Sequence, residues 1–170
     1  MEVRQEEFDD RAGVYAVVHA AFASGDQTIE PPEVGLLQKL FTCQDYDPQF
    51  SLVALDENVV IGHVIASWGT LDGKHRLLGL GPLAVAPEYQ QRGVGSILMQ
   101  AIHDRAKERE LPGIVLLGHI DYYRRFGYEP ASAHGITPSD QGWGEHFMVK
   151  VLNAQTLPTG AYRYSEPFGC

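Results

Sequence analysis

Apolar residues at Val14, Val17, Val18, Ala21 and Phe22 recur at the i, i+3, i+4, i+7 spacing of a helix with one buried stripe. Asp9 or Asp10 stands where its N-cap is expected. A Gly/Asp turn at Ser24–Gln27 precedes a second helix, opened by Pro31, Pro32 and Glu33, because proline is tolerated in a first turn and an acid there suits the helix dipole. Leu36, Leu37, Leu40 and Phe41 supply its apolar side. Ser51–Leu55 and Val59–Trp68 are β-rich runs, and the short acidic turn Asp56-Glu57-Asn58 between them predicts an antiparallel hairpin. After a polar connection at Leu71–Arg76, Leu77–Val85 reads as a strand whose glycines and Pro82 mark a bulge.

The stripe Val94, Ile97, Leu98, Ala101, Ile102 and Ala106 predicts a helix to about Arg109, stopped by Leu111-Pro112-Gly113. Gly113–Leu117 then reads as a buried strand, and strand, helix, strand in this order is the pattern of a parallel βαβ pair. Asp121 is placed to cap a short helix through Phe126, and Tyr128 starts a further strand. A Gly/Ser/Pro-rich loop fills Ala131–Gly144, and His146–Leu152 closes the sheet. No repeat or linker divides the chain, so residues 1–152 are expected to form one domain, with 153–170 an irregular tail docked on it through Tyr162, Tyr164 and Phe168.

Composition narrows the classes. Hydrophobic residues are 44% and charged residues 21% of the 170, the usage of an ordinary globular chain. The formal net charge of −9 repels nucleic acid and anionic membrane and suits a cationic amine substrate. The two cysteines, Cys43 and Cys170, are too few for a disulfide framework and lack metal or redox spacing, which points to a reducing compartment. Five acids within Met1–Arg11 are unlike a secretory peptide, and the run Val59–Trp68 is shorter than the roughly 20 apolar residues a membrane span needs, so a cytoplasmic location is expected.

The stretch Leu83–Ser96, LAVAPEYQQRGVGS, places glycines at the mouth of the strongest helix. Glycine lets a ligand approach the backbone, the unpaired N–H groups of a helix start hydrogen-bond phosphate oxygens, and Arg92 adds a full charge. A Walker loop is excluded because no Gly-Lys-Ser/Thr follows. Gly79–Ala84 fits GxGxxA only as a string, since Pro82, Pro87 and the β-type residues between them argue for a strand where a dinucleotide fold needs a helix.

Gln90-x-x-Gly93-x-Gly95 resembles the (Arg/Gln)-x-x-Gly-x-(Gly/Ala) signature of the GNAT N-acetyltransferases, and Leu83-Ala84-Val85 with Pro87 resembles their cofactor-binding strand. Tyr122-Tyr123-Arg124-Arg125-Phe126-Gly127-Tyr128 is similar to the family's later FYxxxGF segment, and the likeness is nearest the YhbS-like branch over almost the whole chain. This resemblance implies an α+β fold: a central mixed, mostly antiparallel sheet of about seven strands, a parallel splayed pair at the cofactor site, and helices on both faces. It implies acetyl-CoA as donor, its pantetheine arm on the main chain of Leu83, Ala84 and Val85 and its pyrophosphate on Gln91, Arg92, Gly93, Val94, Gly95 and Ser96. The acceptor would be a small-molecule primary amine. The alternatives are a protein or peptide N-acetyltransferase and a non-catalytic acyl-CoA-binding module. A homodimer, frequent in the family, is a further implication.

By the same resemblance, a neutral amine attacks the acetyl carbonyl directly, with the Val85 N–H as positional candidate for the oxyanion donor. Tyr123 matches the tyrosine that protonates the departing thiolate, whereas Tyr122 reads as packing. Glu33 and His119 are weaker candidates for the base. Cys43, at an apolar helix end, reads as a core or boundary residue and not as a nucleophile. The seven histidines show neither HxxxH nor HExxH spacing, so no metal is expected. Trp143 either lines the acceptor site or pins its loop to the core.

Overall fold

The structure, a computed structural model, describes residues 1–154 and 156–169; Cys170 therefore lies outside the described residues. Strand β1 (Glu2–Gln5) leads through a 3-10 turn at Phe8–Asp10 to helix α1 (Arg11–Phe22) and helix α2 (Pro32–Leu40). Three long strands follow, β2 (Tyr46–Asp56), β3 (Val59–Leu71) and β4 (His75–Val85). Beyond a 3-10 turn at Pro87–Tyr89 come α3 (Val94–Glu108), β5 (Gly113–Leu117), α4 (Ile120–Arg124), β6 (Glu129–Pro130), β7 (Ile136–Thr137), β8 (Phe147–Val151) and β9 (Gly160–Arg163).

Among the described residues nine strands form a mixed sheet: seven follow the order β1-β2-β3-β4-β5-β8-β6, while β9 pairs with β3 and β7 with β9. The expected parallel pair is β4 with β5, registered at Leu78–Ile114, Gly79–Val115 and Leu80–Leu116. Immediately after it, Gly81 takes φ +142°, a backbone that glycine adopts freely. The hairpin turn between β2 and β3 has Glu57 and Asn58 at φ +47° and +68°, and a two-residue connection can join only antiparallel neighbours. Asp72 and Gly73, at φ +50° and +67°, repeat this turn between β3 and β4. The polar connection therefore shrinks to a tight turn and both strands lengthen.

Contacts divide the chain into two compact units, one of 1–65 with 82–105, the other of 66–81 with the chain from Ala106 onward. In the first, Val14, Val17 and Val18 of α1 and Leu37 and Leu40 of α2 are buried as expected. Val34 joins them, while Leu36 is only half-buried. The carboxylate expected to cap α1 is used elsewhere: Asp10 accepts from Arg4 Nη1 at 2.7 Å and from the Glu7 N–H at 2.8 Å. Helix α3 lies close on β3, where a Cβ on Gly62 would stand 2.9 Å from Leu98 Cδ1 and 3.1 Å from Val94 Cγ1. Its stripe departs from expectation at Ile97, which is 42% exposed.

In the second unit, Val115, Phe147, Val149, Tyr162 and Tyr164 share one core with Leu71 and Leu77. The stretch expected to be irregular holds β9, which registers Thr70 with Arg163 and Leu71 with Tyr162. The Tyr162 hydroxyl donates to the Leu77 carbonyl at 3.0 Å, and Phe168 packs on Tyr164 with ring centroids 4.7 Å apart. No helix among the described residues is long and apolar enough to cross a membrane.

Candidate functional site

The glycine-opened start of α3 is built within the first unit. At the end of β4 the side chain of Ala84 is buried while those of Leu83 and Val85 are half-exposed, the alternation of a strand. The Ala86 N–H donates to the Ile61 carbonyl at 2.9 Å, so strand alternation turns the main-chain groups of Val85 away from β3. The Val85 carbonyl accepts instead from Gln90 Nε2 at 2.9 Å, a bond that ties the loop back onto the strand end.

Gln91 and Gly93 then take φ +60° and +86° before the helix begins. The Ile97 N–H donates to the Gly93 carbonyl at 3.0 Å. In the first turn that follows, Val94, Gly95 and Ser96 have N–H groups without an i−4 carbonyl inside the helix. That turn carries no acid, and a Cβ on Gly93 would meet nothing within 4 Å, so the loop face is open. Arg92 is exposed, its guanidinium 5.7 Å from the centroid of the Tyr89 ring, and the Tyr89 hydroxyl donates to Asp56 Oδ2 at 3.1 Å. Free N–H groups, a helix dipole and a propped cation together make an anion site, and these residues fit a pyrophosphate.

Tyr123 belongs to the second unit. Helix α4 ends in a left-handed Gly127 at φ +88°, with Gly127 N–H bonded to the Arg124 carbonyl at 3.0 Å and Tyr128 N–H to the Tyr123 carbonyl at 3.4 Å. These are the two bonds of a Schellman cap, and its usual apolar contact is here the buried Tyr128 ring, edge-on to Tyr123 at 6.0 Å. On the other side Tyr123 lies against Gly118, where a Cβ would be 2.3 Å from its Cε2. Burial first, and the nearby Tyr122 second, push the Tyr123 phenol up to about 12. Among the described residues no group hydrogen-bonds its hydroxyl, which therefore keeps its proton at neutral pH and has it to donate. Tyr122 packs as expected, with Phe126 at 5.4 Å and the Arg125 guanidinium 4.5 Å over its ring.

Of the weaker candidates one lies in each unit, and the His119 carbonyl accepts from the Tyr123 N–H at 3.1 Å. Glu33 is half-buried in the first turn of α2, and His119 is the exposed N-cap of α4. Cys43 is half-buried in the turn after α2. The Trp143 ring is 5.8 Å from Phe147 and 5.9 Å from Tyr164, so it pins its loop to the core. Among the described residues no three His, Cys, Asp or Glu side chains converge as metal ligands.

Two polar arrangements escaped the sequence reading. In the first unit, buried Glu6 accepts from Arg11 Nε at 2.9 Å, Tyr46 OH at 2.9 Å and Ser51 Oγ at 3.2 Å. Ser51 Oγ also meets His63 Nε2 at 2.9 Å. With the serine proton spent on Glu6, His63 donates from Nε2, and its buried Nδ1 has no partner among the described residues. The lone histidine in the apolar run 59–68 was the available signal. In the second unit, His146 Nδ1 lies 3.0 Å from the Gly118 carbonyl; nothing in its spacing marked it.

The pattern of the Acetyltransferase (GNAT) family matches residues 14–128. The N-acetyltransferase YjhQ of Escherichia coli (strain K12) is 31% identical over 79% of this chain and 79% of its own. YhbS of the same organism is 31% identical over 99% of this chain and 98% of its own. The crystal structure of E. coli YhbS in complex with CoA superposes with a TM-score of 0.84 at 30% identity, over 99% of this chain and 92% of that one. A GNAT family acetyltransferase from Brucella melitensis, in complex with acetyl-CoA, gives 0.78 at 27% identity over 98% and 97%. On a pattern that spans most of its length and relatives that match almost all of it, the chain belongs to the acetyltransferase (GNAT) family and is an acyltransferase.

Proposed function

We propose that this protein transfers the acetyl group of acetyl-CoA to the primary amine of a small molecule. The observation that carries the reading is the start of α3, with unpaired N–H groups, no acid and the propped Arg92, on a chain whose close structural neighbours hold CoA or acetyl-CoA. In this reading 91–96 bind the pyrophosphate, and Leu83, Ala84 and Val85 pair by main-chain bonds with the pantetheine arm. Acetyl-CoA supplies the activated acetyl thioester. The Val85 N–H, turned away from β3, hydrogen-bonds the negative charge that develops on the carbonyl oxygen. Tyr123 holds its proton on the hydroxyl and donates it toward the departing sulfur.

The small-molecule acceptor is favoured by the net charge of −9, which draws cations of any size without requiring an extended peptide. The cytoplasm, where acetyl-CoA and free amines meet, is the proposed setting. Calorimetric titration of acetyl-CoA tests the donor side: wild type should bind in the micromolar range, and Gly93→Ala, which forces a side chain onto a backbone at φ +86°, should bind at least tenfold more weakly. No binding by wild type would end this reading. A panel of small amines against peptides with free N-termini then separates the acceptor classes, and binding without transfer to any amine would leave a non-catalytic acyl-CoA module.

A further inference from the structure

The ladder between β5 and β8 ends at the pair Leu117–Phe147, and one residue beyond it the two chains are clasped twice. The Gly118 N–H donates to the His146 carbonyl at 3.0 Å, and the Gly118 carbonyl lies 3.0 Å from His146 Nδ1. A carbonyl can only accept, so Nδ1 carries the proton; the neutral ring then has its lone pair on Nε2. The side chain is exposed, whereas the other histidine with an assigned role, His63, is wholly buried with its Nε2 engaged. Gly118 is also the seat of the Tyr123 ring, which a Cβ at that position would meet at 2.3 Å. One glycine thus orients two side chains of complementary chemistry, a phenol that holds a proton and an imidazole nitrogen that lacks one.

We propose that His146 is the catalytic base that takes the proton from the acceptor ammonium through Nε2. This rests on the acetyl-transfer reading above. One ammonium proton passes to Nε2, and the freed nitrogen forms the C–N bond as the C–S bond breaks. The second proton lost from that nitrogen balances the one gained by the thiolate, so a single proton leaves to solvent from His146. The titratable and charged residues carried by the segments that meet at the clasp are His119, Asp121, Tyr122, Tyr123, Arg124 and Arg125 after β5, and Glu145 before β8.

Two measurements test the assignment. Nitrogen-15 NMR of the labelled imidazole in the protein without ligand, at pH 8, should show the Nδ1–H form with Nε2 unprotonated; the Nε2–H form would overturn it. His146→Asn keeps an amide donor where Nδ1–H stood, so the clasp and the fold should survive, with acetyl-CoA affinity within about twofold of wild type. With an amine that wild type acetylates, kcat/KM of this variant should fall about 10²–10⁴-fold. The acid limb of the pH profile should vanish, and added imidazole should restore part of the rate. A His146→Asn enzyme with the wild-type rate and profile removes His146 alone, whereas a wild type that acetylates no amine in the panel removes the acetyl-transfer reading and this assignment with it.

Discussion

At the scale of single residues, the Tyr123 phenol is held at about 12 by burial, well above the ~8.5 of a free thiol. Complete transfer of its proton to a thiolate would run uphill by roughly 5 kcal/mol, so its cheap contribution is a hydrogen bond to sulfur as charge develops there. Tyr123→Phe should accordingly lower kcat by about 10- to 10²-fold and leave acetyl-CoA affinity within a factor of about three. Equal turnover in steady-state assays would remove Tyr123 from the chemistry.

His63 makes a separate claim on stability. Burial depresses its pKa to about 3 in the folded state, against ~6.5 in an unfolded chain. The unfolded state therefore binds more protons between these values. The contribution of neutral His63 is complete above pH ~6.5 and is lost as pH falls toward 3, about 3 kcal/mol of it by pH 4.5. Urea midpoints for wild type and His63→Gln at pH 7.5 and 4.5 should show the variant losing less stability on acidification; parallel losses would contradict the assignment. Neither Glu6 nor Ser51 advertised this network. A buried acid looks like its solvated neighbours until its partners, brought from up to 45 residues away, are known.

At the scale of elements, α1, α3 and the hairpin of β2 and β3 were legible because each repeats a local period or uses a turn chemistry that works anywhere. Strand β9 was not. Its residues Gly160–Arg163 carry no alternating apolar pattern and become a strand only by registering with Thr70 and Leu71. The cost of that docking is met by glycines on the receiving strands. A Cβ on Gly69 would stand 2.2 Å from the Tyr162 hydroxyl oxygen and 2.5 Å from the Arg163 carbonyl oxygen, a backbone atom of β9. Gly69→Ala should destabilise by about 1–3 kcal/mol. Gly35→Ala, within α2 where an added Cβ meets nothing within 4 Å, should instead stabilise by about 0.5–1 kcal/mol. Thermal unfolding of the pair should therefore shift in opposite directions; a Gly69→Ala melt at or above wild type would show that the tyrosines are not packed this closely.

At the scale of the whole molecule, a net charge of −9 favours the approach of cations, and salt screens such attraction beyond about 10 Å at ~0.1 M ionic strength. For a dicationic amine substrate, kcat/KM should fall several-fold between about 0.05 and 0.5 M NaCl, with kcat nearly unchanged. A flat profile would mean that the acid surplus plays no part in capture.

The amino-acid sequence alone determined the family, the parallel strand pair and the glycine-opened start of α3, because these are carried by contiguous residues whose spacing is itself the signal. It also singled out Tyr123 through the segment 122–128. Tertiary structure alone decided what surrounds that tyrosine and its depressed acidity, and it decided the register of β9, the network around Glu6 and the proton position on His146. Each of these depends on a partner far away in the chain, such as Gly118 for His146, 28 residues distant. Hydrogen bonding and desolvation act on distances in space, which no local period encodes.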